Sequence, residues 1–237
     1  SAVEGRDVEV EHMVNLPDWT YLSVTPEDGE QLHPEHTPLV DYRQDLDLRR
    51  GLLTRRMLFE DERGRRTRLV TRQMQCLAGQ HLAAIEFSIT AENWSGLAKV
   101  ETLINGQVAN RNVAADRSLA GNHLDPVQVK ELDGESVLLE TMTNTSKIRV
   151  AMATRTRFME PAKAPEPVRS TLSGDPMVAG QTFDITLNEG ETVVLEKTVA
   201  VANSTDHAIF NPADDAGKRV LRANNFRNLL TYHEEMW

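Results

Sequence analysis

Short apolar segments that alternate with polar residues run from residue 52 to residue 202, and this alternation limits the fold more than any other feature. The segment LAAIEFSIT places four apolar side chains on one face: Ala83, Ile85, Phe87 and Ile89. The segment LAKVETLI alternates in the same way, with Val100 and Ile104 inward. A period of two residues with one polar face is typical of an antiparallel sheet that is solvated on one side. The sequence therefore predicts an all-β fold.

Four turn signals separate these segments and predict hairpins. The strongest is Asn105-Gly106, which accepts the positive φ angles of a type I′ turn and predicts a hairpin into QVANRNV. The others are Asp133-Gly134, residues 62–64 and residues 188–191. At least four hairpins without an intervening helix are typical of a β-sandwich. The proline-rich segment MEPAKAPEPVR, residues 159–169, predicts a loop or an extended crossing.

After Phe210 the pattern changes to a helical period. We expect one helix from about Asp215 to Trp237, roughly 33 Å long at about 1.5 Å per residue. Leaving its apolar face in water would cost about 1.5–3 kcal/mol for each large side chain, so the face predicts a partner. The chain thus divides into a β domain over residues 1–210 and a helical segment over 211–237. The expected interdomain contact residues are Phe226, Leu229, Leu230, His233 and Trp237.

Nine arginines lie between residues 49 and 72, although the whole chain has a net charge of −10. A nucleic-acid site would gather arginines on one face and add aromatic residues, whereas only Phe59 is near and the remaining chain repels phosphate. Cross-strand ion pairs are the simpler explanation. The functional alternative is an arginine that contacts a neighbouring domain or an anionic substrate. The expected acidic partners are Glu86, Glu92, Glu101 and Glu140.

No catalytic constellation is apparent, since the G-x-S-x-G, H-E-x-x-H, P-loop and dinucleotide-binding motifs are all absent from the sequence. His33 and His36, with Glu35 between them, have metal-ligand spacing, but the flanking prolines predict a solvated loop. The single Cys76 excludes an intrachain disulfide and is expected to be an inert core thiol. We therefore predict no catalytic residue, no cofactor and no metal in this chain.

Aromatic side chains are the remaining candidates for a binding site. Trp19 and Trp94 could stack on a sugar, and core packing is the alternative. No run of about 18 apolar residues is present, and the first residues do not resemble a signal segment. We expect a cytoplasmic chain that contacts neither a membrane nor nucleic acid.

Several segments, taken in order, resemble the N-terminal domain of glycoside hydrolase family 65. This family includes maltose, trehalose and kojibiose phosphorylases and acid trehalases. The resembling segments are NLPDWTYLSV, LVDYRQDLDLRRGLLTRRMLFEDERGRRTRLVTRQ, HLAAIEFSITAENWSG and INGQVANRN. KTVAVANSTDHAI and FRNLLTYHEEMW resemble the passage from the β domain into a helical linker.

The resemblance implies a large antiparallel β super-sandwich, a helical linker and an (α/α)6 barrel that carries catalysis. It further implies phosphorolysis of an α-linked glucose disaccharide with inversion: a barrel glutamate is the general acid, inorganic phosphate attacks the anomeric carbon, and β-glucose 1-phosphate leaves. The glutamate and the phosphate-binding residues correspond to sequence beyond Trp237, so none is assigned here. The implied partners are the chain's own barrel and a second copy.

Two departures from the family pattern bear on this reading. The glycine-rich segment that precedes the NLPDW residues in the family is absent, which leaves the number of strands open. The last helix stops at Trp237 without a glycine cap, which predicts a domain cut from a longer protein. The leading hypothesis is a non-catalytic domain that braces the barrel, supports dimerisation and shapes the active-site entrance. The alternatives are a free-standing carbohydrate-binding module and the same domain of a trehalase-type hydrolase.

Overall fold

A computed structural model of the chain describes residues 2–3, 6–7, 13–77, 79, 81–110, 121–160, 167–169 and 174–237. These residues form strands and two C-terminal helices, α1 (Pro212–Arg222) and α2 (Phe226–Met236). The strands are β1 (Ala2–Val3), β2 (Arg6–Asp7), β3 (Leu22–Pro26), β4 (Leu39–Asp47), β5 (Leu52–Glu60), β6 (Arg66–Gln75), β7 (Leu82–Ala91), β8 (Gly96–Asn105), β9 (Leu124–Asp133), β10 (Ser136–Thr143), β11 (Arg149–Glu160), β12 (Pro167–Arg169), β13 (Val178–Leu187) and β14 (Thr192–Asn203).

Two antiparallel sheets make up the body of the domain. The larger has eight strands in the order β4-β5-β6-β7-β14-β11-β10-β9, and the smaller has four in the order β12-β13-β8-β3. The large sheet packs its inner face on the small sheet and its outer face on the two helices. The predicted all-β fold with a C-terminal helical part is confirmed.

The main core lies between the two sheets and explains the alternation of the sequence. Phe87 and Ile89 of β7 and Leu195 of β14 meet Val100 of β8 and Phe183 of β13, and all five are nearly or fully buried. Residues at the intervening positions of β7 point to the outer face. The period of two residues therefore reflects the two different environments of one sheet.

Two of the four predicted hairpins are confirmed. β9 and β10 pair through the Asp133-Gly134 turn, and β5 and β6 pair through the turn that contains Gly64, whose φ is 75°. At residues 188–191 a turn forms, but it carries the chain from β13 in the small sheet to β14 in the large sheet. The predicted hairpin is wrong there, because this turn connects the two layers of the sandwich.

The hairpin predicted at Asn105-Gly106 is also wrong. β8 already has β3 on one side and β13 on the other, so the residues that follow it find no free edge. Gly106 instead donates its main-chain N–H to Met177 O at 2.7 Å. The end of the segment QVANRNV, from residue 111, lies outside the described residues.

The proline-rich segment is a loop only in part. Residues 161–166 lie outside the described ranges, but Met159 and Glu160 end β11, and Pro167–Arg169 form β12 at an edge of the small sheet. An edge strand tolerates a proline, because one side of it makes no ladder hydrogen bonds.

The single predicted C-terminal helix is in fact two helices with a break at residues 223–225. Asn211 caps α1 by accepting the N–H groups of Ala213 and Asp214. Asn225 caps α2 by accepting the N–H of Asn228 at 2.9 Å. Because asparagine is a preferred N-cap residue, Asn225 starts a second helix where the apolar period alone had indicated continuity.

Candidate functional site

Small residues on the outer face of the large sheet make room for α1. Ala151 and Ala153 of β11 and Ala200 and Ala202 of β14 are buried against the helix. From α1, Ala216 and Val220 have no exposed surface. These small side chains let α1 pack closely on the sheet and bury one side of the helix. Helix α1 is therefore part of the domain rather than a free linker.

Helix α2 packs beside α1 on the same face of the sheet. Its buried residues Phe226, Leu229 and Leu230 meet a second apolar cluster from β5, β6, β7 and the residue that follows β6: Leu52, Met74, Cys76, Leu82 and Ala84. Burial raises the pKa of the Cys76 thiol to about 11, so the thiol stays protonated at neutral pH. The predicted core position of Cys76 is confirmed.

For most of the expected interdomain face of α2, the partner in this structure is the sheet of the same chain. The sheet of the same chain covers Phe226, Leu229, Leu230 and His233, and Nδ1 of His233 accepts the N–H of Leu77 at 3.1 Å. Trp237 differs, because it is 56% exposed while its Nε1 donates to Leu48 O at 2.7 Å. The apolar residues of α2 that remain available to a partner are Tyr232, Met236 and Trp237.

Buried charges fix the break between the helices. The Arg155 guanidinium, which is 7% exposed, donates to Leu221 O at 2.7 Å and also to Ala223 O, at the end of α1. The Glu196 carboxylate, on β14, lies 3.8 Å from Arg157. Burial raises the pKa of Glu196, and the Phe226 amide and Arg157 oppose that rise.

The arginine-rich segment takes part in this arrangement. Arg72 pairs with Glu86 at 2.7 Å and Arg68 with Glu92 at 2.6 Å, which confirms two of the expected cross-strand pairs. The Arg72 guanidinium also lies 5.2 Å from the centre of the Phe226 ring. This segment therefore stabilises the sheet and supports the first residue of α2.

Two expected acidic partners do not pair with this segment. Glu140, which is fully buried, pairs with Arg149 at 2.8 Å. Glu101 lies on β8 in the small sheet, and no ion pair joins it to the arginines within the described residues. The sequence could place these glutamates on polar faces but could not assign them to a sheet.

Trp94 is a core residue, which favours core packing, the alternative considered for it, over sugar stacking. Its side chain is 7% exposed, and its Nε1 donates to Thr67 Oγ1 at 3.1 Å. The Arg65 guanidinium lies 5.2 Å from the ring centre. A sugar would have to displace both the arginine and the neighbouring core to reach a ring face.

Trp19 lies at a cleft of 880 Å³, partly buried against both inner cores. The cleft has polar groups that can donate or accept hydrogen bonds and an apolar part formed by Leu16, Leu82, Val108, Met152 and Val201. Such a mixture suits a small polar ligand. The polar lining residues are Asn15, Asp18, Gln75, His81 and Gln107.

Lys197 is a fully buried lysine that sequence analysis did not single out. It lies on the inner face of β14, and its Nζ donates to Leu103 O at 2.7 Å and to Tyr21 O at 3.2 Å. Burial lowers its pKa to about 7, and the nearby Asp18 carboxylate opposes the shift. The only sequence signal is the pair of charges Glu196 and Lys197 inside the apolar segment TVVLEKTVAVA.

His33, Glu35 and His36 come together, with their ligand atoms within 4.8 Å of one another. However, Nδ1 of His33 accepts the main-chain N–H of Glu35 at 3.2 Å. A neutral histidine that accepts at Nδ1 carries its proton on Nε2 and has no lone pair left for a metal. Glu35 and His36 are exposed, as expected for a solvated loop.

The described helices are all too short to cross a membrane.

Comparison with known proteins gives a consistent result over the whole chain. A family model described as "Glycosyl hydrolase family 65, N-terminal domain" matches residues 1–237. An uncharacterized glycosyl hydrolase of Mycobacterium tuberculosis is 32% identical over 99% of this chain and 18% of its own length. The kojibiose phosphorylase of Thermoanaerobacter brockii is 28% identical over 86% of this chain and 26% of its own length.

A solved structure supports the fold. The structure of a protein assigned as a kojibiose phosphorylase from the human microbiome superposes with a TM-score of 0.77 at 15% identity, covering 94% of this chain and 27% of that one. The chain thus spans less than a third of the length of each of these proteins.

Proposed function

This chain belongs to the family of N-terminal domains of glycosyl hydrolase family 65, and on that premise we propose that it is the non-catalytic domain of an inverting disaccharide phosphorylase. Its task is to brace a catalytic (α/α)6 barrel, to support dimerisation and to shape the active-site entrance. The substrates of the whole enzyme are an α-linked glucose disaccharide and inorganic phosphate. This chemistry suits the cytoplasm, where phosphate and sugar phosphates are available.

The observation that carries this proposal is the way the C-terminal helices are held. Both α1 and α2 have apolar cores shared with the large sheet, and buried charges bind the residues between them. A helix that is fixed in this way gives the sequence that follows it a defined starting direction. Exposed Tyr232, Met236 and Trp237 at the end of α2 then provide apolar surface for a barrel.

The relatives support a phosphorylase over other enzymes of the family. Kojibiose phosphorylases of three organisms and an α,α-trehalose phosphorylase match this chain at 25–29% identity. In this proposal the catalytic groups belong to the barrel and not to this chain.

An assay of the whole gene product tests the proposal. We expect it to convert kojibiose, trehalose or maltose to β-glucose 1-phosphate when phosphate is present, as seen by the anomeric coupling in the proton NMR spectrum. The matched control omits phosphate and should release no glucose. Release of glucose without phosphate would identify a trehalase-type hydrolase instead, and activity of residues 1–237 alone would contradict the non-catalytic role.

A carbohydrate-binding module is a second candidate, because Trp19 borders a cleft with several polar groups. Sugars bind by stacking on such rings, with hydrogen bonds from polar neighbours. If this is correct, kojibiose should change the tryptophan fluorescence of the chain saturably, and Trp19→Phe should abolish the change. Trp237→Phe is the matched control and should retain it. Fluorescence that is constant up to tens of millimolar sugar rules out this candidate.

A further inference from the structure

Arg55 differs from the other arginines of β5 and β6, because no carboxylate of a described residue pairs with it. Its Nε donates to Gln44 Oε1 at 3.0 Å, and within the described ranges this is the only hydrogen bond of its side chain. Its two Nη groups therefore remain available to an acceptor from outside the chain. The other arginines of these strands each pair with a carboxylate: Arg56 with Asp45, Arg66 with Glu60, Arg68 with Glu92 and Arg72 with Glu86.

The alternation of β5 separates Arg55 from those carboxylates. Arg55 lies two residues from Met57, which packs against the main core, so both side chains are on the inner face of the large sheet. Arg56 points to the outer face, where it pairs with Asp45 at 2.9 Å. Arg55 and Gln44 are directly opposite each other, and both are exposed. This part of the inner face is therefore open to solvent.

The open face, defined as the inward-facing positions of residues 42–46, 53–57 and 71–75, has one positive charge and no negative charge. Apart from Arg55, these positions carry amide, hydroxyl, phenol and apolar side chains. The chain as a whole has a net charge of −10, so this composition is an exception within it. A carboxylate on this face would repel an incoming anion, and none is present there. The open face is therefore complementary in charge to a small anion.

Hydrogen bonds hold the Arg55 guanidinium in one orientation. Gln44 Oε1 accepts from Arg55 Nε at 3.0 Å and from Tyr42 Oη at 3.1 Å. These two bonds use both lone pairs of the Gln44 oxygen and fix the direction of the guanidinium plane. The Nη groups then form a fork that matches two oxygens of a phosphate or a carboxylate. Thr71, directly opposite Arg55 in β6, adds a hydroxyl on the neighbouring strand.

An exposed aromatic ring lies beside this cation. Tyr42 occupies the position diagonal to Arg55, two residues before Gln44, and is 52% exposed. Residues at diagonal positions are about 7–8 Å apart, a span that a hexose phosphate covers. A tyrosine ring offers an apolar face to the C–H groups of a sugar. Inorganic phosphate alone would leave this ring in water, and the net negative charge of the chain would repel a nucleic acid.

We propose that the open face binds a sugar phosphate, with its phosphate on the Nη groups of Arg55 and its sugar ring on Tyr42. The sugar part of this proposal rests on the function proposed above, because β-glucose 1-phosphate is the product of the proposed enzyme. Within the arginine-rich segment, most strand arginines then stabilise the sheet, and Arg55 contacts an anion. Binding requires no catalysis, so this site and the phosphorylase activity can fail separately.

Titration of the chain with glucose 1-phosphate, followed by the phosphorus NMR shift, tests the phosphate contact. We expect a saturable shift in the millimolar range. Arg55→Gln should raise the dissociation constant at least about tenfold, because it removes hydrogen bonds to a charged group. Arg56→Gln is the matched control: it removes the same charge from the neighbouring residue, on the outer face, and should leave the dissociation constant nearly unchanged. Both arginines are exposed, so neither change should affect folding.

A comparison of ligands tests the sugar contact. Glucose 1-phosphate should bind more tightly than inorganic phosphate, and Tyr42→Ala should remove this difference. Tyr232→Ala, at a similarly exposed ring on α2, is the control and should retain it. The proposal would be overturned by the absence of a saturable shift up to tens of millimolar, or by equal binding of the two ligands to the unmodified chain. An equal loss in Arg55→Gln and Arg56→Gln would overturn it as well, because it would show only a general attraction of anions to positive charge.

Discussion

Lys197 shows how a single residue can set the pH dependence of a whole domain. Its amine has no exposed surface, and it donates to two carbonyl oxygens, Tyr21 O and Leu103 O, which lie next to each other on the small sheet. A neutral amine has two N–H groups and can satisfy both acceptors without the cost of a buried charge. Burial favours this neutral form and lowers the pKa of Lys197 to about 7.

The sign of the pH effect follows from this shift. The unfolded chain holds the Lys197 proton up to a pH of about 10.4, whereas the folded chain releases it near 7. Since the unfolded state binds more protons in between, the free energy of unfolding should rise with pH above about 7, by at most about 1.4 kcal/mol per pH unit.

Lys197→Met should remove this rise. The measurement is urea unfolding of both proteins from pH 7 to 8.5. The difference between them is taken at each pH, so that the titration of Cys76, which both proteins contain, cancels. Parallel curves would show that Lys197 is not the titrating group.

At the level of elements, the docking of α2 depends on a glycine in the turn between β4 and β5. Gly51 has a φ of 56°, and a Cβ built there would lie 2.6 Å from Nε2 of His233 and 2.9 Å from the Trp237 ring. Any side chain at this position must therefore push the last turn of α2 away from the sheet. The ion pair between Arg50 and Glu234 ties the same turn to the helix.

Gly51→Ala should consequently loosen α2. Gly64→Ala is a close control, because Gly64 also has a positive φ, 75°, but no neighbouring atom lies within 4 Å of its Cβ position. Both substitutions should lower the free energy of unfolding by about 1 kcal/mol or more, because alanine disfavours the left-handed backbone conformation. Gly51→Ala alone should also speed amide hydrogen exchange in residues 226–236. Equal exchange in the two variants would contradict the docking described here.

The elements also show what sequence could and could not predict. The alternation in LAAIEFSIT predicted β7 and its buried face, because that pattern depends only on local geometry. The Asn105-Gly106 signal failed, because pairing depends on which edges distant strands have already occupied. The helix break was missed because the apolar period indicated continuity and outweighed the capping preference of Asn225. The bond from Arg155 to Ala223 O, which holds the end of α1, joins residues far apart in sequence and is not visible in a local pattern.

At the level of the whole molecule, the two faces of the large sheet have separate tasks. Its inner face forms the core of the sandwich with the small sheet, and its outer face holds the two helices that lead to the last residue. The candidate sugar sites illustrate the limit of sequence reading at this scale. Trp94 and Trp19 are equivalent candidates in the sequence. The three-dimensional packing shows that Trp94 is a core residue and that Trp19 borders a cleft.

The central claim is that this chain supports a catalytic barrel that follows it, and reading the gene beyond the codon for Trp237 tests it most directly. The account predicts several hundred further codons with helical periodicity and a glutamate suited to act as the general acid. A stop codon directly after Trp237 would contradict it, because the domain would then have to act alone.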